Sequence, residues 1–153
     1  MNDFIEMQKQ YQDYDLIMLR VKCSSEVLTV TSKIYVSFYL IDDLIYQIDQ
    51  FLNNKSNETF WENVEKGNHS IARISLQFMH EDELGHVLIE VYLEIDDCGT
   101  YSSQHCYFYI HTEIGLLDRF MKQLPKLKYG SPETIVVLND NNINSCYKQI
   151  SPC

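Results

Sequence analysis

The sequence predicts an α+β fold in which antiparallel strands form two units, each ending in a helix that packs on the sheet. Apolar and polar residues alternate in several segments, and after two of these segments the period lengthens to that of an amphipathic helix. The links between the strands are of hairpin length, which favours antiparallel pairing. With 153 residues, 45% of them hydrophobic, residues 1–153 are expected to form a single domain.

In the first half of the chain, residues 1–13 are expected to be a polar, possibly helical lead-in. Strand patterns follow, and Asp42 is then expected to cap a helix that runs to about Leu52. The predicted strands are Asp15–Cys23, Glu26–Thr31 and Ile34–Leu40.

The clearest pattern of the chain runs from Gly85 to Leu124. Val87–Ile95 alternates as a strand with one buried face, Asp96–Gly99 breaks it with turn residues, and Gln104–His111 alternates again. Thr112 is expected to cap a second helix, which Pro125 ends. The other predicted strands of this half are Ser70–Met79 and Thr134–Leu138, and Phe60–Val64 is expected to be a helical turn or a strand.

The two halves look alike. A shift of 72 positions places Tyr35–Ile45 on Tyr107–Leu117, which predicts pseudo-repeats over about 15–52 and 70–124. The match indicates either an internal duplication or only the likeness that any two strand-to-helix units share. The pattern leaves open whether the units form one continuous sheet or two packed sheets.

The charge argues against a nucleic-acid partner. The 22 acidic and 12 basic residues give a net charge of -10, and the basic residues are scattered rather than clustered. An acidic protein can attract a basic protein partner, although many cytosolic proteins are acidic for solubility alone. No apolar run has the length of a membrane span, and the N-terminus lacks a signal-peptide pattern. We therefore expect a cytoplasmic protein without a membrane partner.

No motif supports catalysis or a cofactor. His80 and His86 are six positions apart in a turn, whereas a zincin motif places two histidines four apart on a helix. The five cysteines include no CxxC pair, and there is no phosphate-binding glycine loop or GxSxG sequence. We therefore expect a non-enzyme without a metal or cofactor. A pocket formed by Cys98, His105 and His111 stays open as an alternative.

Tyrosines mark the polar faces of the predicted strands. Of the eleven tyrosines, Tyr92, Tyr107 and Tyr109 fall on one such face, beside Glu90 and Glu94. Tyrosine is enriched at protein interfaces because it offers a large contact area and a hydrogen-bonding tip. Ordinary cross-strand pairing on a solvated sheet explains the same pattern.

The segments GNHSIARISLQFMHEDELGHVLIEVYLEIDD and CYFYIHTEIGLLDRFMKQL, within residues 67–124, resemble small bacterial immunity proteins. These include the WapI-type family and the immunity proteins of contact-dependent growth inhibition. The resemblance implies a protein that binds and neutralises the C-terminal domain of a cognate toxin, often a basic nuclease, in the cytoplasm. The alternative is a non-enzymatic scaffold or a homodimerising module, so the chain is expected to be a monomer or a weak homodimer.

An acidic and aromatic surface is the expected toxin-binding site. Its acids would pair with basic toxin groups and Tyr92 would be a central anchor. Reversal of Glu90 and Glu94 to lysine is expected to weaken protection and to leave the fold intact. The expected binding residues are Glu81, Asp82, Glu83, Glu90, Tyr92, Glu94, Asp96 and Asp97.

Overall fold

The computed structural model describes residues 3–53, 55–68, 70–95 and 104–139. Within these ranges the chain forms two antiparallel four-stranded sheets and three helices, which confirms the α+β class and settles the sheet question in favour of two sheets. The strands are β1 (Phe4–Asp13), β2 (Leu16–Ser24), β3 (Thr29–Ser37), β4 (Glu58–Glu62), β5 (Ile74–His80), β6 (His86–Glu94), β7 (His105–Glu113) and β8 (Ile135–Leu138). The helices are α1 (Phe38–Leu52), α2 (Ile114–Gln123) and α3 (Lys126–Tyr129).

The two sheets have corresponding strand orders. The first sheet is ordered β3-β2-β1-β8, and the second is ordered β7-β6-β5-β4 when read from the matching edge. A shift of 76 positions superimposes β3 on β7 and the start of α1 on the start of α2. The 72-position shift of the sequence comparison is therefore four residues short. At 76, four buried residues of the first helix fall on four buried residues of the second half: Ile41 on Leu117, Leu44 on Phe120, Ile48 on Leu124 and Phe51 on Leu127.

Each half of the chain lends one strand to the other half. Strand β4 follows α1 but pairs with β5 in the second sheet, and β8 follows α3 but pairs with β1 in the first sheet. The inner faces of both sheets and the buried sides of the helices form one continuous core. The two sheets are therefore joined by the reciprocal exchange as well as by packing.

An asparagine follows each exchanged strand and bridges the two halves. Asn63 Nδ2 donates to the carbonyl of Tyr35 in β3 (3.2 Å) and to a carbonyl ahead of β5 (3.0 Å). Asn139 Nδ2 donates to the carbonyl of His111 in β7 (2.9 Å) and to that of Asp3, just ahead of β1 (2.8 Å). Since His111 lies 76 positions after Tyr35, each asparagine binds one corresponding backbone carbonyl, that of Tyr35 or that of His111.

The structure corrects the predicted start of the first unit. Residues 4–13 form a strand rather than a helical lead-in, because Ile5, Met7 and Lys9 alternate into the core. The Lys9 ammonium is buried but donates to Gln12 Oε1 (2.5 Å) and to the carbonyls of Lys128 (3.1 Å) and Gly130 (2.8 Å). The sequence did not predict this strand because the charged residue Lys9 occupies an inward position of the alternating pattern.

The predicted element boundaries also change. Thr29–Ser37 is one strand instead of two, and α1 begins at Phe38, where the Ser37 hydroxyl accepts a hydrogen bond from the backbone N–H of Leu40 (3.2 Å). Asp42 lies inside the helix, and its carboxylate instead pairs with Lys128. At the second helix the N-cap is Glu113, because Thr112 remains in β7.

Candidate protein-binding surface

The outer face of the second sheet carries three of the eight predicted binding residues, Glu90, Tyr92 and Glu94. We call this surface the acidic aromatic face. Its side chains alternate with the core residues of each strand and lie outside the core cluster. Cross-strand pairing places them in two rows: Glu62, Ser75, Tyr92 and Tyr107 in the first, and Phe60, Gln77, Glu90 and Tyr109 in the second.

Three aromatic rings on this face are open to solvent. The exposed fractions are 45% for Phe60, 56% for Tyr107 and 44% for Tyr109. The rings of Tyr107 and Tyr109 meet edge to face with their centroids 6.1 Å apart. Glu90 is half-buried and lies directly between Gln77 and Tyr109 in the sheet. The centre of the face is thus a carboxylate flanked by an aromatic ring.

Tyr92 and Glu94 form a closed hydrogen-bond network at one end of the face. The Tyr92 hydroxyl donates to Glu94 Oε2 (2.8 Å), and the backbone N–H of Arg73 donates to Glu94 Oε1 (2.8 Å). Glu94 is 7% exposed. Burial, together with the hydrogen bond to Glu94, raises the pKa of Tyr92 to about 12. Both oxygens of the predicted binding residue Glu94 are therefore occupied within the fold.

Arg73 is the basic residue of this network, and its guanidinium interacts with other residues of the protein. Its guanidinium pairs with Glu62 Oε2 (2.6 Å) and lies 5.1 Å from the Tyr92 ring centroid. The residue is 8% exposed. Because Arg73 is covered and paired with Glu62, and because both oxygens of Glu94 are occupied, the free charge in these two rows is the carboxylate of Glu90.

The acidic turn between β5 and β6 lies at the other end of the second sheet. Asp82 Oδ2 contacts His86 Nδ1 (2.5 Å), while Oδ1 accepts from the backbone N–H of Leu84 (2.7 Å). Glu81 Oε1 contacts His111 Nδ1 (3.1 Å). Among the described residues Glu83 makes no ion pair. The turn and the Tyr92–Glu94 network therefore do not meet in one compact site.

The Asp82–His86 contact predicts a pH dependence. The hydrogen bond to Asp82 raises the pKa of His86 above its usual 6.5, and the Asp82 charge adds to this effect. Protonated His86 therefore stabilises the fold fully below about pH 6.5, and this stabilisation is lost as the pH rises through the raised pKa. An NMR titration of the His86 ring should give a midpoint above 6.5 in the native protein and a lower one in Asp82→Asn.

Glu83→Gln is the matched control, since it removes a carboxylate from the same turn without removing the partner of His86. Its titration midpoint should equal that of the native protein. An unchanged midpoint in Asp82→Asn would show that the contact does not govern this histidine.

Asp96, Asp97 and Cys98 lie outside the described residues. The structure adds residues from β4, because Phe60 and Glu62 border the face beside β5. The sequence contains the alternation that marks this strand: Thr59 and Trp61 point inward, and Glu58, Phe60 and Glu62 alternate with them. The segment was too short to be placed in a sheet from its pattern alone.

Within the described ranges, no group of three or more His, Cys, Asp or Glu side chains is arranged to hold a metal ion. In the same part of the chain, none of the helices combines the length and the apolar character that a bilayer span requires. No protein-family model, curated protein or solved structure matches the chain.

Proposed function

We propose that this chain is a cytoplasmic immunity protein that binds a cognate, basic toxin domain through the acidic aromatic face. The observation that carries the proposal is an open sheet face that carries three exposed aromatic rings and the half-buried Glu90. Rigid aromatic side chains on a sheet offer a large contact area at low entropic cost. The resemblance of residues 67–124 to immunity proteins supports the same assignment.

The charge of the chain supports a basic partner. The net charge is -10, and the covered Arg73 is already paired with Glu62. Complementary charges speed association, so the association rate with a basic domain should fall as salt is added. The proposal assigns no catalytic step, metal or cofactor to this chain.

Co-purification tests the proposal directly. The tagged chain is expressed together with the C-terminal domain of the polymorphic toxin encoded beside it, and growth is followed with and without the chain. A one-to-one complex and rescued growth are the expected results. If a folded chain neither binds nor protects, the immunity assignment is wrong.

Glu90→Lys should weaken toxin binding about tenfold or more, because it reverses a charge at the centre of the face. Isothermal titration or biolayer interferometry measures the change. The matched control is Glu6→Lys, which makes the same charge change at a half-buried outer position of β1 in the first sheet. Equal weakening by both variants would indicate a general charge effect and would contradict this choice of face.

A second candidate is homotypic association. Arg20, Lys22 and Lys33 lie on the outer face of the first sheet, where Arg20 faces Lys33 across neighbouring strands. This basic face is complementary to the acidic aromatic face, so a second copy could dock by pairing the two. Sedimentation velocity of the isolated chain separates the candidates: a salt-sensitive dimer favours homotypic association, and a monomer at high concentration argues against it.

A further inference from the structure

A cleft of about 380 Å³ runs beside the outer edge of β7. The turn between β2 and β3 forms its other wall. The residues that matter for its chemistry are Asp3, Glu26, Val27, Leu28, Tyr107 and Tyr109. The cleft lies at the edge of the second sheet and borders the acidic aromatic face, with which it shares Tyr107 and Tyr109.

The backbone of β7 is open along this cleft. Strand β7 is the last strand of its sheet, and the N–H of His111 donates outward to Asp3 Oδ2 (2.8 Å). Backbone groups alternate in direction along an antiparallel strand, so the N–H and C=O groups of Tyr107 and Tyr109 also point outward. In the part of the chain that the structure describes, these outward groups have no hydrogen-bond partner. Such an edge is a template for an added strand.

The walls of the cleft define the chemistry of the added segment. Among the described residues, Asp3 and Glu26 are the acidic residues that line it, and no lysine or arginine does. Asp3 is 3% exposed, and its Oδ1 has no hydrogen-bond partner among the described residues. Val27, at 89% exposed, offers apolar contact area at the rim. Aliphatic and basic side chains on one extended segment would match both features.

We propose that the β7 edge binds an extended segment of a partner protein, rich in aliphatic and basic residues, as an additional strand. The backbone groups of Tyr107 and Tyr109 bond to this strand, and Asp3 and Glu26 attract its basic side chains. The proposal goes beyond immunity function, because it holds whether or not the acidic aromatic face binds a toxin.

The test uses the full-length protein labelled with ¹⁵N and a blocked heptapeptide that alternates valine with lysine. The expected result is saturable shift of the Tyr107 and Tyr109 amide signals and slower hydrogen exchange at both. Tyr109→Pro should weaken binding by about tenfold or more, because it removes an outward donor while sparing the bonds to β6. A peptide that alternates valine with glutamate should bind much more weakly than the lysine peptide.

Lys33→Pro is the matched control. Lys33 lies 76 positions before Tyr109, at the corresponding edge position of β3. Its substitution by proline should therefore leave peptide binding unchanged. Glu26→Lys, an exposed substitution, gives a second test that does not depend on the folding of the proline variant, and it should also weaken binding. Equal binding by native protein, Tyr109→Pro and Glu26→Lys would overturn the proposal. So would equal affinity for both peptides, or no binding of the lysine peptide at about 1 mM.

Discussion

Replacement of Asn63 by alanine should lower the free energy of unfolding by about 3 kcal/mol, and Asn139→Ala should have a similar effect. Each change leaves backbone groups that are buried or partly buried without partners, and a buried group of this kind costs about 1–3 kcal/mol. Asn63 loses the two carbonyl acceptors described above and the N–H of Ile74, which donates to its Oδ1 (2.8 Å). Urea unfolding followed by circular dichroism measures both effects.

Asn68→Ala is the control for this comparison. Asn68 is exposed and lies in the loop before β5, so its change should stay within about 0.5 kcal/mol. If Asn63→Ala lowers the free energy of unfolding strongly and Asn139→Ala lowers it only slightly, the hydrogen bonds of the two asparagines do not contribute equally to stability.

Glu94→Lys should destabilise the protein by about 4 kcal/mol, since breaking a buried charged network costs about 3–5 kcal/mol. The substitution removes the acceptor for Tyr92 and for the Arg73 backbone N–H, and it brings a second cation toward the Arg73 guanidinium. Differential scanning calorimetry of the isolated chain measures the loss. The expectation that Glu90 and Glu94 can be reversed together with the fold intact therefore no longer holds for Glu94.

Two variants accompany Glu94→Lys. Glu94→Gln keeps one acceptor oxygen and should lose only about 1–2 kcal/mol, while Glu90→Lys should change stability little because its side chain is half-buried at an open face. If Glu94→Lys melts at the native temperature and yet abolishes protection, Glu94 contacts the toxin directly, and the structural role assigned to it is wrong.

Much of the fold was predictable because alternation and helix periodicity are local. The strand pattern at 87–95, the change of period after His111 and the last strand at 134–138 all correspond to elements of the structure. Strand β1 was missed because Lys9 occupies a core position, which becomes favourable only when two distant carbonyls, those of Lys128 and Gly130, accept from its ammonium together with Gln12. No local pattern contains that information.

The surface was predictable in part. Alternation correctly placed Glu90, Tyr92 and Glu94 on one face of β6. It could not show that Glu94 is covered, because the covering groups come from Arg73 on the chain ahead of β5 and from the hydroxyl of Tyr92. Whether any of these residues contacts a toxin stays a prediction.

Because β4 and β8 are exchanged between the halves, the first sheet cannot be completed during synthesis until β8 has been made. Strand β1 leaves the ribosome early, but its neighbour β8 begins only at Ile135. At about 5–20 residues per second, β1 waits roughly 6–26 s with one edge unpaired. Pairing between such distant segments is intrinsically slow, and an open strand edge favours aggregation during the delay. Of the described strands, β8 is made last and closes the first sheet, so chains that end before it are expected to be substrates for chaperones and proteases.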